Sequence, residues 1–475
     1  MEPFSKEDTK GLSIMDFNIL KNTPLYRCFS DLGNKIYLPE GIFFWSGRAK
    51  KEAELNGTIG VAYSYEKDYI DGGSTNWGPC YVEDVKNFFQ KIDVNDIVTY
   101  ASISGLSELR ERWKEWIIKK SLYNEATEHE KISNLKKYTT NPIVTAGVTN
   151  AIFMNCALFL NTTDSIILPN KRWGNYDNII SRFLGANIQS FEFYHDGKFN
   201  IKGLIDAMNK VIQNQNKIIL MLCFPNNPTG FVPKKEEISE LIENLKDFYS
   251  KNNYPIIILI DDAYEPYIFS DNVSQRSIFY DLQQLEENII PIKLDGVTKE
   301  LLMYGGRVGF ATIGLKKEWV QNDQELEILK NEIDNKLSAI NRSTISNCNH
   351  YYQTVAMKLV EERNISGTIK KRDKIVQVLK KRYEVINALL KDLNDPNVTV
   401  DPNAGGFFIF LNLNPNLILA NDFADHLLTQ YKVGVIPIQN LKENINGIRI
   451  AYSSININAI PEFIKRITLA LKDFK

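Results

Sequence analysis

The feature that most restricts the fold of this chain is a series of short apolar runs separated by amphipathic stretches. The runs are Ile143-Val-Thr-Ala, Ser165-Ile-Ile-Leu, Ile188-Gln-Ser-Phe, Lys217-Ile-Ile-Leu-Met-Leu-Cys, Pro255-Ile-Ile-Ile-Leu-Ile and Ile290-Pro-Ile-Lys-Leu. Several carry apolar residues on consecutive positions, so both faces of those strands must be covered. Amphipathic helices fit between the runs, for example from Glu236 to Lys251. Strand then helix, repeated, implies an α/β fold whose mostly parallel sheet is sandwiched by helices. Gly309-Phe-Ala-Thr-Ile-Gly reads as one further strand, an antiparallel one. From about Asp323 to Leu393 the pattern is helical and charged, and after Asp395-Pro396 it changes to short strands with a final helix from about Pro461. That C-terminal part reads as a smaller α+β domain. A length of 475 residues suits such a division. The expected parts are 1–98 (an arm and part of the small domain), 99–335 (the large domain) and 336–475 (the small domain). Ser121 to Lys137 is polar and mixed in charge, and reads as a solvated insertion or loop.

Composition excludes several classes. The formal net charge is -2, so bulk charge attracts neither nucleic acid nor an anionic membrane. The cysteines (Cys28, Cys80, Cys156, Cys223, Cys348) are scattered and form no CxxC pair. The histidines (His129, His195, His350, His426) lie far apart. No disulfide framework and no metal site is expected. The N-terminus, Met1 to Asp8, lacks the basic start and apolar core of a signal peptide. The most apolar stretch, Ala151 to Leu160, is too short to span a bilayer. A cytoplasmic protein is expected.

In an open α/β sheet, ligands bind at the carboxyl ends of the strands. After the first run comes Thr145-Ala-Gly147-Val148-Thr149, opening an apolar helix, where exposed N–H groups and the helix dipole favour an anion. After the second comes Arg172-Trp173-Gly-Asn-Tyr176, whose indole could cover a planar ligand. Leu220-Met-Leu-Cys223 leads into Pro225-Asn226-Asn227-Pro-Thr-Gly, a rigid turn that offers an asparagine side chain. Ile256-Ile-Ile-Leu-Ile260 ends in Asp261-Asp262-Ala263-Tyr264. A carboxylate there is desolvated and needs a cationic partner, a role that a protonated heterocyclic nitrogen would fill. Asp295-Gly296-Val-Thr298-Lys299 follows the last run, and Arg307 comes eight residues after the lysine. Desolvation beside other cations lowers a lysine pKa and makes its amine a nucleophile toward aldehydes. Each signal alone is ordinary, a capped helix or a packed tryptophan; their order along the chain is specific.

In that order the sequence resembles the fold type I pyridoxal-phosphate-dependent aminotransferases (class I/II), of the aspartate and aromatic aminotransferase kind, from about Asn56 to Ser453. The resemblance implies a homodimer with shared active sites, pyridoxal 5'-phosphate as cofactor, and an amino acid and a 2-oxo acid as substrates. It implies that Lys299 is the Schiff-base lysine and that Asp261 keeps the pyridine nitrogen protonated. Tyr264 and Asn227 correspond to the groups bonding the ring's 3-oxygen, and Trp173 to the aromatic stacked on the ring. Gly147, Val148 and Thr149 match the phosphate cup, with Arg307 as its arginine and Thr298 as a further donor. Tyr100 is similar to the tyrosine that reaches the neighbouring subunit's phosphate. Arg449, in Gly-Ile-Arg-Ile-Ala-Tyr, matches the arginine that clamps the α-carboxylate, and Gly60 a backbone position lining the substrate pocket. Arg342 resembles the second arginine of dicarboxylate-specific members, which would favour aspartate or glutamate; it could equally cap a helix or pair with an acid.

Two departures stand out. Tyr176 occupies the place where the family often has a histidine behind the aspartate, and Gly296 the place of a common serine. The region from Tyr63 to Asp96 is also longer than in common members, and its loop-like stretch Gly72-Gly-Ser-Thr-Asn-Trp-Gly-Pro could shape the pocket entrance. A lyase or decarboxylase on the same fold shares these residues. A transcription regulator with such a domain would need a DNA-binding module, and the roughly 50 residues before Gly60 show no helix-turn-helix pattern or basic face.

Overall fold

The computed structural model describes residues 18–36, 41–89, 91–94, 97–393 and 395–474, and it joins all seven expected strands into one sheet. In chain order they are β1 (Ile143–Thr145), β2 (Ser165–Pro169), β3 (Asn187–Phe191), β4 (Ile218–Cys223), β5 (Ile256–Asp261), β6 (Ile289–Gly296) and β7 (Gly309–Ile313). Across the sheet the order is β1-β7-β6-β5-β4-β2-β3. Only β7 runs against its neighbours, being antiparallel to both β6 and β1. Every residue of β4 and β5 is buried. Alternation sends successive residues to opposite layers. Leu220 and Ile258 join Leu241 and Leu245 of the helix Lys235–Asn252, whereas Ile219 and Leu259 join Ile152 and Met154 of the helix Val148–Phe159.

A second sheet, all antiparallel, follows. It takes Val398–Val400, Phe408–Leu413, Ile445–Ala451 and Ile436–Asn440 in that spatial order. The chain's early residues return to this part: Leu55–Asn56 pairs in parallel with Val433–Gly434. Between the two sheets in sequence lies the helix Glu362–Lys391, 30 residues long, or about 45 Å at 1.5 Å per residue.

The segment from Ser121 to Lys137 differs from the solvated loop expected. Residues His129–Lys137 form a helix, Leu135 is fully buried, and the buried Tyr123 donates its hydroxyl to the Tyr280 carbonyl at 2.8 Å. Its apolar residues are few but fall on one face, which the surrounding charges mask in a linear reading. The polar start of the chain, Met1 to Asp8, lies outside the described residues. Among the described residues no helix is long and apolar enough to cross a membrane, and no group of three His, Cys, Asp or Glu could hold a metal ion.

Candidate active site

The carboxyl edge of the large sheet opens into a cavity of about 400 Å³. Its lining includes Gly60, Val148, Thr149, Trp173, Asn227, Asp261, Tyr264, Thr298, Lys299, Arg307 and Arg449, which is most of what the sequence singled out. Topology explains the meeting. Asp261 is the last residue of a parallel strand, and Trp173, Asn227 and Lys299 follow the ends of others. Arg307 arrives by the opposite route: because β7 is antiparallel, its beginning lies at this same edge.

Lys299 is partly buried, and its Nζ donates to the Gly60 carbonyl oxygen at 2.6 Å. The amine sits over the rings of Tyr304, Phe407 and Tyr264 at 5.1, 5.6 and 5.7 Å. Burial, with Arg449 and Arg307 nearby, pushes this amine down to about 7. Asp261 is buried. Its Oδ2 accepts from the Tyr176 hydroxyl at 2.6 Å and its Oδ1 from the Ala263 N–H at 3.2 Å. Both donors are neutral, and burial raises the carboxyl above the usual aspartate range. The tyrosine in the histidine's place therefore does bond the carboxylate. Burial also raises the Tyr176 phenol well above its ordinary value, so it stays a donor.

Arg449 is 3% exposed and reaches the cavity from the strand Ile445–Ala451. Its Nη1 donates to Asn227 Oδ1 and its Nη2 to the Thr58 carbonyl, each at 3.2 Å. Its Nε has no partner, and the guanidinium lies 4.3 Å over the Phe408 ring. Burial pushes this guanidinium down to about 10. Among the described residues neither Lys299, Arg307 nor Arg449 forms an ion pair with a carboxylate.

At the other end of the cavity three glycines allow close approach, Gly147 to a side chain and Gly309 and Gly296 to backbone. A Cβ on Gly147, whose φ is +81°, would lie 2.4 Å from Arg307 Nη2. One on Gly309 would lie 2.4 Å from the Gly147 carbonyl carbon, and one on Gly296 would lie 2.7 Å from the Val308 carbonyl oxygen. The start of helix Val148–Phe159 thus meets the exposed Arg307 guanidinium, while the hydroxyl of Thr298 is buried without a hydrogen-bond partner. A helix N-terminus, a guanidinium and an orphaned hydroxyl at one place suit an anion such as a phosphate. Together with the unpaired Asp261 and the low-pKa Lys299, this donor set fits pyridoxal phosphate.

Two expected residues lie elsewhere on the chain. Tyr100 is 91% exposed, and Arg342 is exposed on the helix Asp323–Thr344 with its guanidinium on the Ser346 hydroxyl. The stretch around Gly72 forms the turn of a hairpin, Tyr63–Tyr65 with Trp77–Pro79, and Trp77 lines a separate cavity of about 300 Å³. Sequence reasoning missed Ile42, Phe43 and Ser46 of the helix Ile42–Glu52, which line the active cavity, and also Phe408 and Tyr304. Phe408 had a signal in Gly406-Phe-Phe-Ile-Phe-Leu, since it shares a sheet with Arg449. Nothing local marked the helix.

The chain matches the family described as aminotransferase class I and II over residues 75–467. It is 24% identical over 396 residues to the aromatic-amino-acid aminotransferase 2 of Thermococcus litoralis, covering 83% of this chain and 89% of that one. To the aspartate aminotransferase of Pyrococcus abyssi it is 24% identical over 414 residues, covering 86% and 88%. Among solved structures, an aminotransferase from Anaerococcus prevotii superposes with a TM-score of 0.77 at 24% identity, covering 94% of this chain and 100% of the other.

Proposed function

The chain belongs to the aminotransferase class I and II family, and from that premise we propose that it moves an α-amino group between an L-amino acid and a 2-oxo acid, using pyridoxal 5'-phosphate in the cavity described. The observation that carries this reading is a pattern of uncompensated charge in one cavity: a buried carboxylate on Asp261, a buried guanidinium on Arg449, and a lysine amine pushed down to about 7.

In this reading Asp261 pairs with the protonated ring nitrogen, and Tyr176 holds Asp261 from behind. Tyr264 and Asn227 bond the 3-oxygen, and Trp173 packs on the ring. Gly147, Val148, Thr149, Thr298 and Arg307 hold the phosphate. When bound, the cofactor supplies a ring that accepts electrons from the substrate's Cα. Arg449 grips the α-carboxylate with a fork that lysine cannot reproduce, which fixes the Cα–H bond relative to Lys299. Lys299 Nζ, largely neutral above about pH 7, is poised to take the Cα proton. Gly60 contributes a carbonyl that accepts from this amine when the amine is free of the cofactor.

The exposed Tyr100 and Arg342 belong to the same proposal as contributions to a second copy's site, Tyr100 toward the phosphate and Arg342 toward a side-chain carboxylate. The functional form is then a homodimer, with aspartate, glutamate or aromatic amino acids as donors. The division into residues 1–98, 99–335 and 336–475 also belongs to it; the seven-stranded sheet falls in the middle part and the four-stranded sheet in the last.

The test is spectroscopic. Protein loaded with pyridoxal phosphate is mixed singly with L-aspartate, L-glutamate, L-phenylalanine and other amino acids. Loss of the visible band of the lysine-held cofactor, with release of the matching 2-oxo acid, is the expected result. Release of CO2 or ammonia in place of the 2-oxo acid would move the protein to the decarboxylase or lyase class.

A further inference from the structure

Lys299 stands on a helix too short to hold itself. Val297–Glu300 is four residues long, and a single turn fixes more backbone freedom than its hydrogen bonds return. The next residue, Glu300, is 2% exposed, and both of its carboxylate oxygens are occupied. Oε1 accepts from Trp116 Nε1 at 3.2 Å and from Arg372 Nη1 at 2.6 Å, and Oε2 accepts from Lys120 Nζ at 3.0 Å. These donors come from two long helices, Ser107–Lys120 and Glu362–Lys391.

Lys120 extends the arrangement. Its Nζ also reaches Glu265 Oε2 at 2.7 Å and Asp295 Oδ2 at 3.3 Å. Lys293, completely buried in β6, donates to Glu265 at 2.8 Å and pairs with Asp262. None of the four acids lines the cavity. Yet Asp262 adjoins Asp261, Glu265 adjoins Tyr264, Glu300 adjoins Lys299, and Asp295 begins the turn that leads to Thr298. Buried ion pairs recover their desolvation cost only with good geometry, and apolar residues of equal volume often stabilise a fold as well or better. What charges add is a fixed direction for each carboxylate. Here each fixed carboxylate lies one residue, or for Asp295 three residues, along the chain from a group that faces the cavity.

We propose that Glu300, held by Lys120 and Arg372, is a positioning residue that sets where the Lys299 amine points and so sets how fast that amine bonds its carbonyl partner. This rests on the assignment of Lys299 given above.

The test uses the full chain and three variants, Glu300→Gln, Arg372→Met and Arg372→Lys. The first readout does not depend on turnover: stripped protein is mixed with pyridoxal phosphate, quenched with borohydride at timed intervals, and the cofactor fixed on Lys299 is measured by mass spectrometry. Glu300→Gln is expected to slow this uptake by about 10- to 100-fold, since small misplacements of a reacting group cost that much. Its kcat should fall alongside, while KM for the amino acid changes by less than about threefold. Arg372→Met should slow uptake and Arg372→Lys should recover most of the loss. Normal uptake and kcat in variants with only a lower melting temperature would overturn the proposal and leave the cluster a structural one. If Glu300→Gln does not fold, the Arg372 pair decides by the same criterion. No trapped cofactor in the unchanged protein would overturn both this inference and the reading of Lys299.

Discussion

The inner and outer ends of the active cavity are built differently. At the inner end, Asp261, Asn227, Tyr264 and Arg449 are all buried, with Asp261 accepting from the Tyr176 hydroxyl and the Ala263 N–H and Arg449 donating to Asn227 and the Thr58 carbonyl. At the outer end, Arg307 and Phe43 are exposed, and the expected contributors Tyr100 and Arg342 stand in solvent away from the cavity. The difference teaches that burial within one chain already fixes the inner groups against one another, while the groups at the rim are open to an occupant from outside the chain. A second copy is the occupant proposed above.

The comparison can be broken first at its centre. Lys299→Ala removes the amine on which the inner end converges, and turnover is expected to fall by at least about 10²- to 10⁴-fold, the range for loss of a positioned acid–base group; steady-state 2-oxo acid release checks it. Retained turnover would mean the inner end is not the reactive one. Arg449→Lys keeps the charge and loses the fork. It should raise KM for the amino acid by about 30- to 1,000-fold, roughly 2–4 kcal/mol, with a smaller change in kcat. An equal loss in kcat alone would show that the arginine acts on something other than substrate binding.

A pH profile sharpens the same end. The neutral amine is the nucleophile, and the folded protein holds Lys299 at about 7 instead of the ordinary 10.5. Uptake of pyridoxal phosphate by stripped protein should therefore climb as pH rises through about 7 and level off above it. The same depression makes the folded protein bind fewer protons than the unfolded chain between about 7 and 10.5, so this group adds stability as pH rises across that window. Moving Arg449 to Met should shift the midpoint of the uptake curve upward, because one of the two neighbouring cations is gone. The smallest effect belongs to the rim. Tyr100→Phe should weaken cofactor retention by only about 0.5–1.5 kcal/mol, one hydrogen bond's worth, and only at concentrations where the protein sediments as a dimer. The same loss in a monomer would place Tyr100 in its own chain's site.

Much of the inner end was legible because its residues follow strand ends, and strands buried on both faces announce themselves as unbroken apolar runs. β4 and β5 gave Asn227, Asp261 and Tyr264 in this way. What stayed hidden is what long-range register decides. Gly60 and Lys299 meet across 239 residues, and Asn227 and Arg449 across 222; the family resemblance, not any local pattern, brought Gly60 and Arg449 forward. The helix Ile42–Glu52 had no such guide. Lys293 shows a subtler failure. Inside Ile290-Pro-Ile-Lys-Leu it reads as a break in an apolar strand, yet it is completely buried because Asp262 and Glu265 meet it there.

The glycines around Arg307 limit anyone who would redesign this enzyme. Placing at position 296 the serine that the family resemblance suggests looks like a repair on paper. In this fold its side chain would begin 2.7 Å from the Val308 carbonyl oxygen and 2.8 Å from the Gly309 Cα, both backbone atoms with nowhere to retreat. Directed evolution should find that door shut, along with those at Gly147 and Gly309. Thr298, whose hydroxyl is buried without a partner, and the exposed Arg307 are free of that crowding, and a mutant library built on this scaffold would do best to spend its diversity there.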